Sequence, residues 1–276
     1  MPYSMRKQIE QVSVQAGEMM REHQASRIQE KEGHANWVTD MDEQIQRFLA
    51  QKLAVILPEA ELIGEEKENQ ALGDGWTWIV DPIDGTTNYI HHYRCSAVSI
   101  ALLKDRKPMI GVIVDPYAGE IYSAERGKGA FLNDTPMHVS AVPVSSALVA
   151  FGTAPYNPEY SQMSLALAGR FLAASADIRR SGSAALDLAH LACGRVDYFF
   201  EMLLKPWDFA AGALLVEEAG GIFAMPALEE VDYGAMTTVL ASNPECYSFA
   251  HAELLRIIHS YGMQEKRTWQ ATDAFL

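Results

Sequence analysis

The chain has 276 residues, of which 22 are Lys or Arg and 36 are Asp or Glu, so its formal net charge is −14 at pH 7. Nucleic-acid backbones and anionic membrane surfaces are bound through Lys and Arg, so this charge argues against both partners. Hydrophobic residues make up 49% of the chain and charged residues 21%, a globular composition that excludes a disordered chain. The excess of carboxylates fits a cation-binding protein or a solvated acidic surface, and composition alone favours the solvated surface.

The three cysteines, Cys95, Cys193 and Cys246, are too few and too widely spaced for a disulfide framework. None belongs to a CxxC pair, so we expect them to pack as small apolar side chains in a reducing compartment. The N-terminal segment lacks the apolar run of a signal peptide, and no apolar run approaches the roughly 18 residues of a membrane span. The sequence therefore predicts a cytoplasmic protein.

In chain order, the first half predicts two helices followed by a mainly antiparallel sheet. Apolar residues three or four positions apart over residues 9–19 predict the first helix, and residues 23–37, which lose this period, predict a polar loop. A second helix carries its apolar stripe over residues 41–53 and ends before Pro58. A hairpin is expected around residues 127–134, and the strands expected before it cover residues 61–64, 76–80, 96–103, 108–114 and 121–124.

The second half predicts strands that alternate with helices. The strands are expected at residues 147–151, 197–200 and 239–241, and the helices at residues 160–171, 184–192, 208–219 and 244–261. A boundary near residue 145 divides the chain into halves 1–145 and 146–276. Because no flexible linker marks this boundary, we expect the two halves to pack as one compact unit.

The strongest chemical signal is the segment 78–88, which reads WIVDPIDGTTN. A buried strand runs into Asp81, and Pro82 is expected to end it because proline cannot donate to a strand ladder. Asp81 and Asp84 then project from a tight turn. This pair predicts an oxygen-ligand metal site, although an Asx-turn cluster in a structural loop is the alternative.

The residues after this pair favour anion binding. Gly85 allows close approach of the backbone, and the N–H groups of Gly85, Thr86 and Thr87 can hold an anion. Two carboxylates beside an anion site would repel a phosphate unless a divalent cation lies between them. The segment therefore predicts a phosphate held against a metal ion.

Two further carboxylates are expected at the ends of neighbouring elements. Glu65 follows a short strand, and Asp208 lies where a helix is expected to begin, so an N-cap is its alternative role. Together with Asp81 and Asp84 they supply four negative charges. Two or three Mg²⁺ ions would neutralise these charges and those of a phosphate.

In combination, order and spacing, these motifs resemble those of the inositol monophosphatase family of metal-dependent phosphatases. The resemblance implies an α+β fold, a layered αβαβα sandwich, and a homodimer. It also implies Mg²⁺-dependent hydrolysis of a phosphate monoester. The matching segments are residues 38–42, 64–66, 81–88, 182–185 and 207–212.

The resemblance also implies a role for individual residues. Glu65, Asp81 and the carbonyl of Ile83 would bind the first magnesium, and a weaker third ion would lie near Glu65. Asp81, Asp84 and Asp208 would bind the second. Thr86, paired with Asp42, would activate the attacking water together with Glu65. The remaining roles are phosphate binding by Gly85 and Thr86, a loop contact from Lys31, and substrate binding by Asp84, Gly182, Ser183, Ala184, Glu201 and Asp208.

Three of these residues have structural alternatives. Thr39 is a candidate N-cap of the second helix with Asp42 in the capping-box position, so Asp42 could simply stabilise the helix terminus. Lys31 could be a solvated loop lysine. Glu201 could simply end a strand.

The expected reaction is hydrolysis of a polyol or sugar phosphate by metal-activated water, because the sequence has no Ser or Cys nucleophile elbow. The resemblance leaves fructose-1,6-bisphosphatase as an alternative enzyme. It also leaves a regulatory binding protein that retains the fold, since some bacterial members partner with the transcription machinery. We expect a small-molecule partner and neither nucleic acid nor membrane.

Overall fold

The computed structural model describes residues 4–31, 36–66, 71–226 and 230–262. In these ranges the helices are α1 (Met5–Glu22), α2 (Asp40–Ile56), α3 (Thr86–Ile90), α4 (Pro158–Ala174), α5 (Ala184–Ala192), α6 (Pro206–Glu218) and α7 (Pro244–Ser260). The strands are β1 (Ile28–Glu30), β2 (Trp37–Thr39), β3 (Glu61–Gly64), β4 (Trp76–Asp84), β5 (Ala97–Lys104), β6 (Lys107–Asp115), β7 (Glu120–Glu125), β8 (Ala130–Leu132), β9 (Thr135–Met137), β10 (Leu148–Phe151), β11 (Asp177–Arg179), β12 (Tyr198–Leu204), β13 (Ile222–Ala224) and β14 (Thr237–Ser242).

Two large sheets organise the described part of the chain. The first has the strand order β3-β4-β5-β6-β7-β8-β9 and is antiparallel except for the parallel pair β3–β4. The second has the order β11-β10-β12-β14-β13, in which β10 pairs in parallel with both of its neighbours. A small antiparallel hairpin, β1–β2, precedes them.

The helices and sheets form five layers. Helices α1 and α2 cover one face of the first sheet, α5 and α6 lie between the two sheets, and α4 and α7 cover the far face of the second sheet. Residues 209–216 of α6 are all buried, as expected for a helix enclosed on every side. This αβαβα sandwich confirms the fold class that the resemblance implied.

Helices α5 and α6 pack closely against each other. A Cβ atom placed on Gly212 would lie 2.6 Å from the Leu188 side chain of α5, so only glycine permits this approach of the two helices. The predicted cap of α2 is present, and α7 is capped as well. Thr39 caps α2 in a capping box with Asp42, and Asn243 caps α7 before Pro244.

Several element predictions were wrong or incomplete. Residues 23–37, predicted as a loop, contain β1 and the first residue of β2, which are too short and too exposed to show an apolar period. The strand expected to end at Pro82 continues to Asp84, with its pairing interrupted between Asp81 and Asp84. Helix α3 and strands β11 and β13, which have three to five residues each, were not predicted.

Two site residues also lie elsewhere in their elements than expected. Glu201 lies inside β12, which continues to Leu204, so it does not end a strand. Helix α6 begins at Pro206, so Asp208 is its third residue rather than its N-cap. None of the described helices combines the length and apolarity needed to cross a membrane.

Candidate active site

Three carboxylates meet where the end of β4 packs against the first turn of α6. One oxygen each from Asp81, Asp84 and Asp208 lie within 4.8 Å of one another. Asp81 and Asp84 are buried, and Asp208 is partly buried. The interruption of strand pairing at Pro82 directs both β4 carboxylates to the same end of the sheet. This cluster is the one that the 78–88 segment and Asp208 predicted.

Each carboxylate is fixed by hydrogen bonds to one of its oxygens. Asp81 Oδ1 accepts from the Ile83 N–H at 3.0 Å, and Asp208 Oδ2 accepts from the Lys205 N–H at 2.8 Å. Asp84 Oδ2 accepts from the Ala185 N–H at 2.9 Å and from the Ser183 hydroxyl. A carboxylate anchored in this way can present its second oxygen to a cation.

The electrostatics of the cluster favour a bound cation. Burial, followed by repulsion from neighbouring carboxylates, raises the pKa of Asp208 to about 8 and that of Asp81 well above its usual range. Burial likewise raises the pKa of Asp84 to about 6. Within the described ranges, none of the three forms an ion pair with a basic side chain. An all-oxygen, acidic and unneutralised donor set fits Mg²⁺, which prefers hard oxygen ligands.

Glu65 lines the same cleft but stands apart from the three-carboxylate cluster. Its Oε1 accepts from Lys31 Nζ at 3.3 Å, and Lys31 Nζ also lies 2.5 Å from Glu66 Oε1. Lys31 is therefore held by two glutamates, which contradicts the alternative of a solvated loop lysine. Burial, with the charge of Glu65, raises the pKa of Glu66 to about 7. The sequence analysis assigned no role to Glu66.

The side chains of Thr86 and Asp42 are in contact, as the resemblance implied. Thr86 Oγ1 lies 3.3 Å from Asp42 Oδ1 and 3.1 Å from the carbonyl oxygen of Ile83. Asp42 Oδ2 accepts from the N–H and the hydroxyl of Thr39, at 2.7 and 2.5 Å. Asp42 thus caps α2 with one oxygen and faces Thr86 with the other. The helix-capping role and the contact with Thr86 are therefore compatible. Burial raises the pKa of Asp42 to about 6.

Gly85 forms the turn between β4 and α3. Its φ of 88° is left-handed, and a Cβ atom there would lie 3.0 Å from the carbonyl oxygen of Cys95. Gly85 and Thr86 line the cleft at the N-terminus of α3, where unpaired N–H groups favour an anion. The Asn88 amide donates to the carbonyl oxygens of Cys95 and Ser181 at 2.7 and 3.0 Å. These bonds tie the 78–88 segment to the 181–183 loop.

The opposite wall of the cleft holds the predicted substrate-side residues. Gly182, Ser183, Ala184 and Glu201 all line it. The Ser183 side chain is buried, donates to Asp84 and accepts from the Leu186 N–H, so it caps α5. Glu201 Oε1 accepts from the Ala154 N–H at 3.2 Å, and burial raises the pKa of Glu201 to about 8.

The inositol monophosphatase family model matches residues 2–263. The chain belongs to this family. Among curated proteins, it is 39% identical to the Nus factor SuhB of Escherichia coli strain K12 over 194 residues, which cover 70% of this chain and 73% of that protein.

Solved structures of family members match the whole architecture. An IMPase of Thermotoga maritima superposes with a TM-score of 0.84 at 27% identity, covering 92% of this chain and 98% of that one. An IMPase/NADP phosphatase complexed with Mg²⁺ and phosphate has a TM-score of 0.77 at 28% identity, with 90% of each chain covered. The similarity therefore extends over nearly the whole chain.

Other residues of the cleft in this family member were missed by the sequence analysis. The lining also includes Trp37, Gly152, Tyr156, Arg180 and Asp187. These residues come from separate loops and helices. No local motif marked them, so only the tertiary fold brings them to one cavity.

Proposed function

We propose that this protein hydrolyses a phosphate monoester of a polyol or sugar in a reaction that depends on Mg²⁺. The observation that carries the proposal is the oxygen cluster of Asp81, Asp84 and Asp208 within 4.8 Å, beside the N-terminus of α3. Membership of the inositol monophosphatase family supports it, as does the similar IMPase/NADP phosphatase complexed with Mg²⁺ and phosphate.

The proposed metal ligands follow the family resemblance. Glu65, Asp81 and the Ile83 carbonyl would hold one Mg²⁺, and Asp81, Asp84 and Asp208 a second, with a weaker third ion near Glu65. When bound, Mg²⁺ lowers the pKa of a coordinated water and stabilises the charge that develops on the ester oxygen. Lys31, in contact with Glu65, would limit the negative charge at this edge of the cleft.

Around that centre, the chain's own groups bind and orient the reactants. The N–H groups of Gly85 and Thr86 would donate to phosphate oxygens. Thr86 Oγ1 would accept a hydrogen bond from the attacking water while it donates to Asp42 Oδ1. The water oxygen would bond to phosphorus while the bond between phosphorus and the alcohol oxygen breaks. Of the two protons of the water, one would end on the departing alcohol oxygen and the other would remain on the inorganic phosphate.

On the substrate side, Glu201 would accept hydrogen bonds from hydroxyl groups of the alcohol. Gly182, Ala184 and the backbone of Ser183 would shape this wall, because the Ser183 hydroxyl is already engaged with Asp84. Asp84 and Asp208 lie close enough to the cleft to contact the same ligand. This arrangement favours substrates rich in hydroxyl groups.

The test is phosphate release by the full-length protein, stripped of metal and assayed with and without Mg²⁺. The substrates are inositol 1-phosphate, glucose 6-phosphate, fructose 1,6-bisphosphate and 4-nitrophenyl phosphate. We expect Mg²⁺-dependent release, abolished in Asp81→Asn and retained in the exposed control Asp74→Asn. Full activity in excess chelator, or no release from any substrate with Mg²⁺, would overturn the proposal. Preference for the bisphosphate would favour the fructose-1,6-bisphosphatase alternative.

A second candidate function, a regulatory binding protein, is favoured by the name Nus factor SuhB that the curated relatives carry. It is tested by isolating tagged parent and Asp84→Asn protein from cell lysate. A partner must then be identified and its binding reconstituted with purified components. A partner bound equally by both forms would support a binding role independent of catalysis. The absence of any reconstituted partner would reject this candidate.

The proposal also includes a homodimer in the cytoplasm, as the family resemblance and the cysteine usage imply. Light scattering of the purified protein over a range of concentrations tests the assembly. A single species with the mass of one chain would contradict the dimer.

A further inference from the structure

We propose that Gly152 and Ala154 are positioning residues that hold the Glu201 carboxylate in the substrate cleft, so that Glu201 can favour hydroxyl-rich substrates. This inference rests on the proposed function, in which Glu201 contacts the alcohol part of the substrate. Gly152 follows β10 directly, and Glu201 lies in the neighbouring strand β12.

The first observation is steric. A Cβ atom on Gly152 would lie 1.9 Å from Glu201 Oε2 and 2.2 Å from Oε1, far inside van der Waals contact. The carboxylate therefore occupies the volume that any other residue's side chain would need. The Gly152 N–H donates to the carbonyl oxygen of Phe200 at 3.1 Å, so the backbone at residue 152 is tied to the residue before Glu201.

The second observation is conformational. Ala154 has a φ of 41°, a left-handed conformation that residues with a Cβ atom seldom adopt. In this conformation its N–H donates to Glu201 Oε1 at 3.2 Å. The Ala154 carbonyl oxygen is held in turn by the Asn157 N–H at 2.9 Å and the Ser161 hydroxyl at 3.0 Å. Such strain persists only where surrounding contacts fix it, and it concentrates at functional sites.

The third observation explains why the carboxylate needs to be held. Glu201 forms no ion pair with a basic side chain in the described ranges, and its charged neighbours Asp208, Asp187 and Asp84 are all acidic. These acidic neighbours give the Glu201 carboxyl group no attractive partner. In the part of the chain that the structure describes, the recess at Gly152 and the N–H of Ala154 are the contacts that hold this acceptor in the cleft.

The decisive variant is Gly152→Ala, with Gly169→Ala as the matched control. Gly169 lies on an exposed turn of α4, and a Cβ atom there meets nothing within 4 Å. We expect Gly152→Ala to lower the ratio of kcat/KM for inositol 1-phosphate to that for 4-nitrophenyl phosphate by roughly 10- to 100-fold, the range of a lost charge-assisted hydrogen bond. The control should keep the parental ratio. An unchanged ratio in Gly152→Ala would overturn the inference.

A double-variant cycle separates positioning from general damage. If Gly152 acts through Glu201, then Glu201→Ala should lower the same ratio, and adding Gly152→Ala should change it by less than twofold. The double variant should also be more heat-stable than Gly152→Ala alone, because the added methyl group then fills the space that the carboxylate vacated. Independent, multiplying losses or equal instability of these two variants would contradict the inference. If the parent releases phosphate from neither substrate, the proposed function fails instead.

Discussion

Replacing Asp84 with asparagine isolates its negative charge from its structural contacts. Asparagine keeps the shape of the side chain, and its amide oxygen can still accept hydrogen bonds from the Ser183 hydroxyl and the Ala185 N–H. The N-terminus of α5 should therefore remain in place. What is lost is one of three carboxylates whose oxygens lie within 4.8 Å.

The size of the effect without metal follows from the charge state. Two full charges 4.8 Å apart repel by ~3.5 kcal/mol at an effective dielectric constant of about 20. The pKa of Asp208 is raised to about 8, however, so that group is largely protonated near neutral pH, and burial raises the pKa of Asp81 in the same direction. Only part of the repulsion is present. We therefore expect Asp84→Asn to stabilise the metal-free protein by about 1 kcal/mol, or a Tm gain of roughly 2–4 °C.

With Mg²⁺ bound, the parent should become more stable than Asp84→Asn. A ligand at 100 times its Kd stabilises the folded parent by about 2.7 kcal/mol, roughly 5–10 °C in Tm, whereas Asp84→Asn should gain little. Turnover of 4-nitrophenyl phosphate should fall by at least ~10³, the scale of a major electrostatic stabiliser. Thermal unfolding with chelator and with Mg²⁺, beside the exposed control Asp74→Asn, measures both effects. If Mg²⁺ raised the Tm of Asp84→Asn as much as that of the parent, and turnover stayed near normal, the reasoning would be refuted. Asp84 would then have a purely structural role.

Further perturbations test other parts of the molecule. Chelation should abolish turnover and Mg²⁺ should restore it, whereas Ca²⁺ should bind without supporting catalysis because its coordination shell is larger and looser. Phosphate release measures these effects, and turnover with Ca²⁺ would contradict the prediction. Glu201→Gln should lower kcat/KM for inositol 1-phosphate, with a loss of transition-state stabilisation of ~1.5–3 kcal/mol. The loss for 4-nitrophenyl phosphate should be much smaller. Equal losses would instead assign Glu201 to the metal site or the fold. Arg195 lowers the pKa of Glu120 from 4.5 to about 2, so their pairing stabilises the fold above about pH 4.5 and is lost as the pH falls toward 2. The free energy of unfolding in urea should depend less on pH over that interval in Arg195→Met than in the parent. An unchanged pH dependence would count against the pairing.

The part of the site that the sequence predicted is local. Asp81, Asp84 and Gly85 share one turn, and their spacing alone places carboxylates beside exposed N–H groups. Asp208 was predicted to join them from its place where a helix begins, although nothing in the α6 sequence reveals which strand this helix packs against. For Lys31, the resemblance implied a loop contact, but the residue pattern did not identify Glu65 and Glu66 as its partners, since strands β1 and β2 are too short for a periodic signal.

The layers were predictable where the apolar period is long and not where the elements are short. Helices α1 and α2 follow their stripes closely, but β11 and β13 have three residues each and gain their order from pairing with longer strands. Glu201 was misplaced for a related reason. The residues after it in β12 are apolar, and a continuous apolar run carries no mark of where its strand ends.

The burial of α6 between the two sheets has a consequence for how the protein matures. Asp81 and Asp84 are synthesised early, whereas Asp208 arrives on a helix that can be enclosed only after both sheets exist to receive it. Bringing residues 81–84 together with residue 208 closes a long stretch of chain, which costs conformational entropy. A nascent chain whose α6 segment has not yet emerged from the ribosome therefore lacks the third carboxylate. The onset of tight Mg²⁺ binding would mark the moment when the two sheets have closed on this helix.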